Sequence, residues 1–304
     1  MKQGFIYFAL LICFTSCNSN KKNTTPGDSI INPDKEEWVS LFNGKDLTGW
    51  DIKFANQELN VNYKNTIQVE DGMFRVVYDE YEEFNHDYGH IYYKQPFSYY
   101  KIRFAYRFTG EQTKGGATWN VRNSGIMFHS QSAASNSFGQ GFPVSIELQL
   151  LGGLSDGEER HTGNLCTPGT AFEIEGAVNL SHCYDSSSKT YHGDQWVEVE
   201  AIVLGNESIT HIVEKDTVLV FQKPHIGSEN MADDLNSFGI DNQEEWMAKE
   251  GDMLSEGYIA LQAESHPIDF KNIELLNLKG CTDPKAGNYK SYYVKTDNSS
   301  CTYD

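Results

Sequence analysis

The chain has 304 residues, with 24 Lys and Arg against 43 Asp and Glu, a formal charge of −19 and an aromatic content of 13%. The acidic charge is spread without a basic block, which argues against nucleic acid as a partner and against docking on anionic lipid. No Gly-x-Gly-x-x-Gly, Walker loop, Gly-x-Ser-x-Gly elbow or His-Glu-x-x-His helix occurs, which argues against nucleotide chemistry and serine hydrolysis.

In chain order, Lys2, the apolar run 5–14 and Thr15-Ser16-Cys17 read as a lipoprotein leader over residues 1–17. Cys17 is then the lipidated first residue of a mature chain held in the cell envelope, in the periplasm or on the outer-membrane surface. A plain secretory signal is the alternative, because Phe14 departs from the usual Leu or Val. Residues 18–35, rich in Asn, Lys, Thr and Pro, read as a flexible tether. Residues 36–278 read as one large all-β domain. Its Val, Ile, Tyr and Phe-rich runs at 67–77, 90–108, 144–151, 196–204, 208–221 and 257–276 are separated by Gly, Asn and Asp, the pattern of a β-sandwich. Residues 242–250 alone read as a surface helical turn, with Asp241 and Ser237 as candidate caps. Residues 279–304 form a small cysteine-bracketed appendage.

Once Cys13 leaves with the leader and Cys17 takes lipid, Cys166 with Cys183 and Cys281 with Cys301 remain for an oxidising compartment, where such pairs commonly close into disulfides. A four-thiol zinc site is the alternative, against which the lack of a Cys-x-x-Cys spacing speaks.

Two runs carry polar side chains on every second position. Glu147 and Gln149 alternate in 144–150, and Gln262, Glu264 and His266 in 257–270. Strand geometry sends such positions to one face, so the apolar partners enter a core and the polar set lies on an exposed surface suited to a hydroxyl-rich ligand. Ordinary solvated strands alternate too. Asn123 and His129, six apart, share a face if their strand is regular. The region around 190–196 reads as a fixed turn in which His192 and Asp194 are structural.

The segments 38–50 (WVSLFNGKDLTGW), 123–127 (NSGIM), 146–151 (IELQLL), 162–169 (TGNLCTPG) and 257–273 (GYIALQAESHPIDFKNI) together resemble the 3-keto-disaccharide hydrolase domain family. The resemblance spans nearly all of residues 36–278. It implies a concanavalin/LamG-like jelly-roll sandwich that holds an oxidised (3-keto) sugar, in exported bacterial proteins. The implied reaction is cleavage of 3-keto-glycosides by proton abstraction at C2, elimination of the C1 substituent and hydration, with a divalent metal ion as a possible cofactor.

For that reaction Glu147 is the first choice as base or metal ligand. His266 is a candidate to exchange protons with C2 or with the leaving group, its competing reading being a turn residue beside Pro267. Glu264 is expected to orient His266 or to join a metal shell. Gln149, Gln262, Asn123, Arg122, Asn164 and His182 are candidate substrate-binding residues. Arg122 is also suited to stabilise an enolate, and Asn164 and His182 lie in loops around the Cys166 and Cys183 pair. Mixed carboxylate and imidazole ligation would suit Mn, Ca or Zn without choosing among them. Exposed aromatics such as Tyr88, Tyr92, Tyr99 and Trp119 are candidates to stack on a sugar ring. The tail 280–304 resembles a short motif at the ends of exported Bacteroidetes proteins, from which Asn298 and Ser299 depart. The alternative function is a non-catalytic carbohydrate-binding or adhesion lipoprotein of the same fold.

Overall fold

The computed structural model describes Met1 and residues 32–303. Residues 2–17 of the expected leader, Cys17 among them, and residues 18–31 of the tether lie outside the described residues. The chain divides into Met1–Asn32 and Pro33–Asp304, and the second unit carries the strands.

Its strands in chain order begin with β1 (Val39–Ser40), β2 (Trp50–Phe54), β3 (Ile67–Glu70), β4 (Met73–Val76), β5 (Gly89–Tyr93), β6 (Tyr99–Phe108) and β7 (Asn123–Ser130). They continue with β8 (Ile146–Leu151), β9 (Asn164–Cys166), β10 (Thr170–Ile174), β11 (Ala177–Asn179), β12 (Cys183–Tyr184), β13 (Val197–Leu204), β14 (Ser208–Val213) and β15 (Asp216–Ile226). After helices α1 (Met231–Ser237) and α2 (Gln243–Met247) come β16 (Tyr258–Ala263), β17 (Ile268–Asn277), β18 (Lys279–Gly280) and β19 (Lys295–Thr296). Four of the six long predicted runs are therefore interrupted. Asp71-Gly72, both with positive φ, split the first into the β3–β4 hairpin, and Glu214 and Lys215, also with positive φ, turn β14 into β15.

One sheet runs β11-β10-β15-β14-β13-β6-β17-β4-β3 with β1 paired to β17, and the other runs β12-β9-β8-β7-β16-β5-β2. All pairs within both sheets are antiparallel. The two sheets close on one core. On β13, Val197, Val199, Ala201 and Val203 point into it while Glu198 stays in solvent. They meet Ile126 and Phe128 of β7 and Leu148 and Leu150 of β8 within a single cluster. Such alternation is what lets a strand bury one edge of its side chains and solvate the other.

The second sheet breaks that rule. Its face away from the core is covered too, so Glu147, Gln262 and Glu264 are buried rather than on an exposed surface. Loops and the short helix α1, which the sequence reading missed, roof that face. Val144, Ile226, Met231, Leu235 and Ile240 form a satellite cluster that anchors α1 there. Cys166–Cys183 and Cys281–Cys301 are both closed disulfides, the first joining β9 to the edge strand β12 and the second stapling the tail.

Candidate functional site

Pairing register decides which side chains share the covered face. Glu147 lies opposite Met127 and Cys166, Gln149 opposite Gly125 and Asn164, and Leu151 opposite Asn123. On β16, Ala260 lies opposite Met127 and Tyr92, and Gln262 opposite His90. Directly paired residues project to the same side, so Asn123, Glu147, Gln149, Asn164, Gln262 and His90 stand on one surface. Glu264 continues that row just past the end of β16.

Above this surface lies a cleft of 820 Å³. Glu147, Gln149, Glu264, Asn123 and Arg160 line it with Tyr88, Trp119, Phe142, Phe238, His182 and the Cys166–Cys183 pair. Glu147 is 7% exposed and Glu264 3% exposed. Burial alone pushes the Glu147 carboxyl up to about 8. Glu264 is raised well above the ordinary value, first by burial and then by the charge of Glu147, against a smaller opposing pull from Arg160. Burial thus favours the protonated form of both carboxyls into the neutral range, and the charge of Glu147 adds to this for Glu264. Glu264 is the better proton holder, and Glu147 the first of the two to ionise as the pH approaches about 8.

Arg160 was not among the residues singled out from sequence. Its Nη1 donates to the carbonyls of Val121 (2.6 Å), Gly152 (2.8 Å) and Arg122 (3.2 Å), and its Nη2 to Trp119 O at 3.4 Å. Four neutral carbonyls thus fix a guanidinium in the cleft wall beside Glu264 while leaving its charge uncancelled by a bonded carboxylate. Asn123 Nδ2 donates to Trp119 O at 3.1 Å, and its Oδ1 is buried without a partner. Buried acceptors are normally satisfied, so this oxygen marks a place where a ligand hydroxyl would donate.

Residues 37–276 match the model of the 3-keto-alpha-glucoside-1,2-lyase-like domain. The chain belongs to that family. No curated protein matches it. Among solved structures, it is similar to a proposed glycosyl hydrolase from Parabacteroides distasonis at 20% identity, covering 79% of this chain and 94% of that one, with a TM-score of 0.46. It is also similar to the carbohydrate-binding module CBM66 from Bacillus subtilis (11% identity, 75% and 96% covered, TM-score 0.36). LamAcat from Zobellia galactanivorans is a third (9% identity, 75% and 91% covered, TM-score 0.43). Likenesses this remote carry no functional argument; the family assignment is what supports a carbohydrate-active role.

The cleft of this lyase-like domain gathers some of the expected residues and leaves others outside. Glu147, Gln149, Asn123, Glu264 and His182 line it. Gln262 sits on the same surface, buried, with Oε1 unpartnered. Asn164 is spent on structure: Nδ2 donates to Gln149 Oε1 and His161 O, and Oδ1 accepts from Ser186 N.

His266 does not continue the alternation, because Ser265 between it and Glu264 has a φ of +74° and turns the chain. The imidazole packs edge-on to Phe108 at 5.5 Å, and burial lowers its pKa to about 4, helped by Arg122. It stands outside the cleft lining and does not orient with Glu264 as expected. Arg122 is also turned away. Its φ is +48°, and its guanidinium holds the turn at Gly193 and Asp194. The alternation linking Asn123 to His129 fails as well. A bulge in β7 opposite Tyr258–Ala260 gives His129 a φ of +49°, and its Nε2 meets Gly205 O at 3.0 Å.

Among the described residues, no three or more His, Cys, Asp or Glu side chains are grouped so as to hold a metal ion. The residues present therefore do not form the mixed carboxylate and imidazole metal centre that the family resemblance raised.

Proposed function

We propose that the cleft cleaves glycosides already oxidised to a ketone at C3. The observation that carries this reading is the pair of buried carboxyls, Glu147 and Glu264, with separated proton affinities beside the carbonyl-anchored Arg160. A C3 ketone acidifies the hydrogen on C2, so a base of pKa near the working pH is matched to its removal. Glu147 as carboxylate takes that proton, and the C2–H electron pair becomes the enolate. Arg160 supplies positive charge toward the developing oxyanion in a site where water does not screen it. The C1–O bond then breaks as the C1=C2 double bond forms, and Glu264 gives its proton to the departing oxygen. Water adds across C1=C2 in a second step and yields the free 3-keto sugar. Asn123 Oδ1 and Gln149 are suited to receive and hold ring hydroxyls. The two disulfides suit an oxidising compartment, which supports an envelope location for this activity.

Incubation with a 3-keto-disaccharide in D2O tests the proposal. Cleavage is expected to release 3-keto sugar carrying deuterium at C2, and Glu147→Gln is expected to abolish both. A protein that binds the sugar yet neither cleaves it nor exchanges C2 would be a non-catalytic sugar-binding module instead.

A further inference from the structure

The covered face changes character along its length. Down the β8–β9 ladder the cross-strand pair Gln149–Asn164 is followed by Glu147–Cys166, and Cys166 is bonded to Cys183. Asn123, Gln149, Arg160 and Glu264 therefore gather at one end of the cleft. The other end is walled by the disulfide, Pro168, Phe142, Phe238 and His182. Five rings follow one another along the roof from the polar end to the apolar one. Trp119 stacks on Tyr88 (6.2 Å, 18°), Tyr88 meets Phe142 (4.7 Å), Phe142 meets Phe238 (5.9 Å) and Phe238 meets His182 (6.1 Å).

We infer that the end of the cleft beyond Glu147 receives an aromatic group carried on C1 of the sugar, which makes the substrate an aryl glycoside rather than a disaccharide. This inference rests on the proposed cleavage, which places the oxidised ring among the polar groups and the C1 substituent past Glu147. A second sugar there would bring several hydroxyls to a wall with little to offer them. Ser237 Oγ already donates to Asp234 O at 2.8 Å, and the His182 ring, whose basicity burial lowers, lies against Phe238. Hydroxyls stripped of water without partners oppose binding, whereas a flat ring offers faces and edges to Phe142 and Phe238 and needs no donor. A cleft of 820 Å³ has room for a pyranose with an aromatic ring attached.

Phe238 is also held too firmly to serve as mere cover. It caps α1, its carbonyl accepts from Gly141 N at 2.9 Å, and a Cβ added at Gly239 would lie 2.6 Å from Gly139 O. The helix end and the 137–142 loop are thus pressed together with the ring fixed between them and the cleft.

Steady-state kinetics on two substrates sharing the same oxidised glucose ring, one with a phenolic aglycone and one with a second glucose, test the inference. Wild type should favour the aryl substrate in kcat/KM by about tenfold or more, and Phe238→Ala should erase that advantage by lowering kcat/KM on the aryl substrate far more than on the disaccharide. Phe238→Leu serves if the Ala variant does not fold. Calorimetric titration with the unoxidised aryl glucoside and the unoxidised disaccharide repeats the comparison without turnover. Tighter binding of the aryl compound, lost in the Phe238 variant, upholds the inference even if neither keto substrate is cleaved and the proposed reaction is wrong. Equal or tighter binding of the disaccharide, or an equal loss for both ligands, overturns it.

Discussion

Gly125 on β7 leaves the space that the Glu147 carboxylate fills: a Cβ added at Gly125 would lie 2.3 Å from Glu147 Oε1 and 2.7 Å from its Cγ. The glycine is not needed for backbone reasons, since its φ is not positive, so an alanine can keep the strand and must instead displace the flexible acid. Misplacement of a reacting group by about 1 Å costs up to about a hundredfold in rate. Gly125→Ala is therefore expected to lower kcat on a 3-keto-glycoside by ten- to a hundredfold, with little change in melting temperature. Unaltered kcat would remove Glu147 from the reaction.

Stability should be greatest near about pH 6, for two opposed reasons. Burial holds the His90 imidazole down to about 3 and those of His129, His211 and His266 to about 4. Between these values and the ordinary 6.5 the unfolded chain binds protons that the folded chain refuses, so stability rises with pH through this window and is lost on acidification. Glu147 has the reverse sign. Between 4.5 and about 8 the folded carboxyl keeps a proton that the unfolded chain has released, so stability falls as pH rises. Thermal melts from pH 4 to pH 9 on wild type and Glu147→Gln check both limbs. The variant is expected to lose part of the alkaline decline and none of the acid one, and parallel curves would contradict the assignment.

Arg160 should not tolerate lysine. A planar fork reaches the carbonyls of Val121, Arg122, Gly152 and Trp119 together, and a single ammonium on a flexible stem cannot. Arg160→Lys is expected to cost about 1–3 kcal/mol of stability through buried carbonyls left unpaired. It should also lower kcat more than it raises KM, because the charge acts on the oxyanion rather than on the ground state. Chemical denaturation and steady-state kinetics together separate the two effects; a pure KM change would make Arg160 a binding residue only.

How much of this was legible beforehand follows the range of the cause. Alternation along β13 and β14 is local, and the sandwich and the face carrying Glu147 and Gln149 could be read directly. That the same face is buried could not, because its roof comes from Trp119, Phe142 and Phe238, far apart in the chain. His266 and His129 were misplaced by single positive φ values at Ser265 and at His129 itself, which no period-two pattern reveals. Helix α1 has the acidic sequence MADDLNS with only Met231 and Leu235 buried, too few apolar positions to announce a helix. Arg160 directly follows the run Ser155-Asp156-Gly157-Glu158-Glu159, polar and without hydrophobic period, and the carbonyls that hold it converge only in the folded chain.

The Cys166–Cys183 bridge offers the last test, because it is part of the cleft wall rather than a remote staple. It joins two directly paired residues, and β12 on its outer side is a two-residue edge strand with few ladder bonds of its own. In the chain-entropy model, closing a loop of this length stabilises by about 3 kcal/mol. Replacing both cysteines with alanine should cost stability on that scale and also free the segment carrying His182, whose carbonyl accepts from Thr167 N at 2.8 Å. Activity should then fall by more than the folded fraction accounts for, under conditions where circular dichroism shows the sandwich intact. The Cys281–Cys301 pair, which lies in the tail and not in the cleft, is the matched control. Its double alanine variant should lose stability in the tail yet retain the activity of the unaltered chain, and equal inactivation of the two variants would show that the first bridge has no particular part in the site.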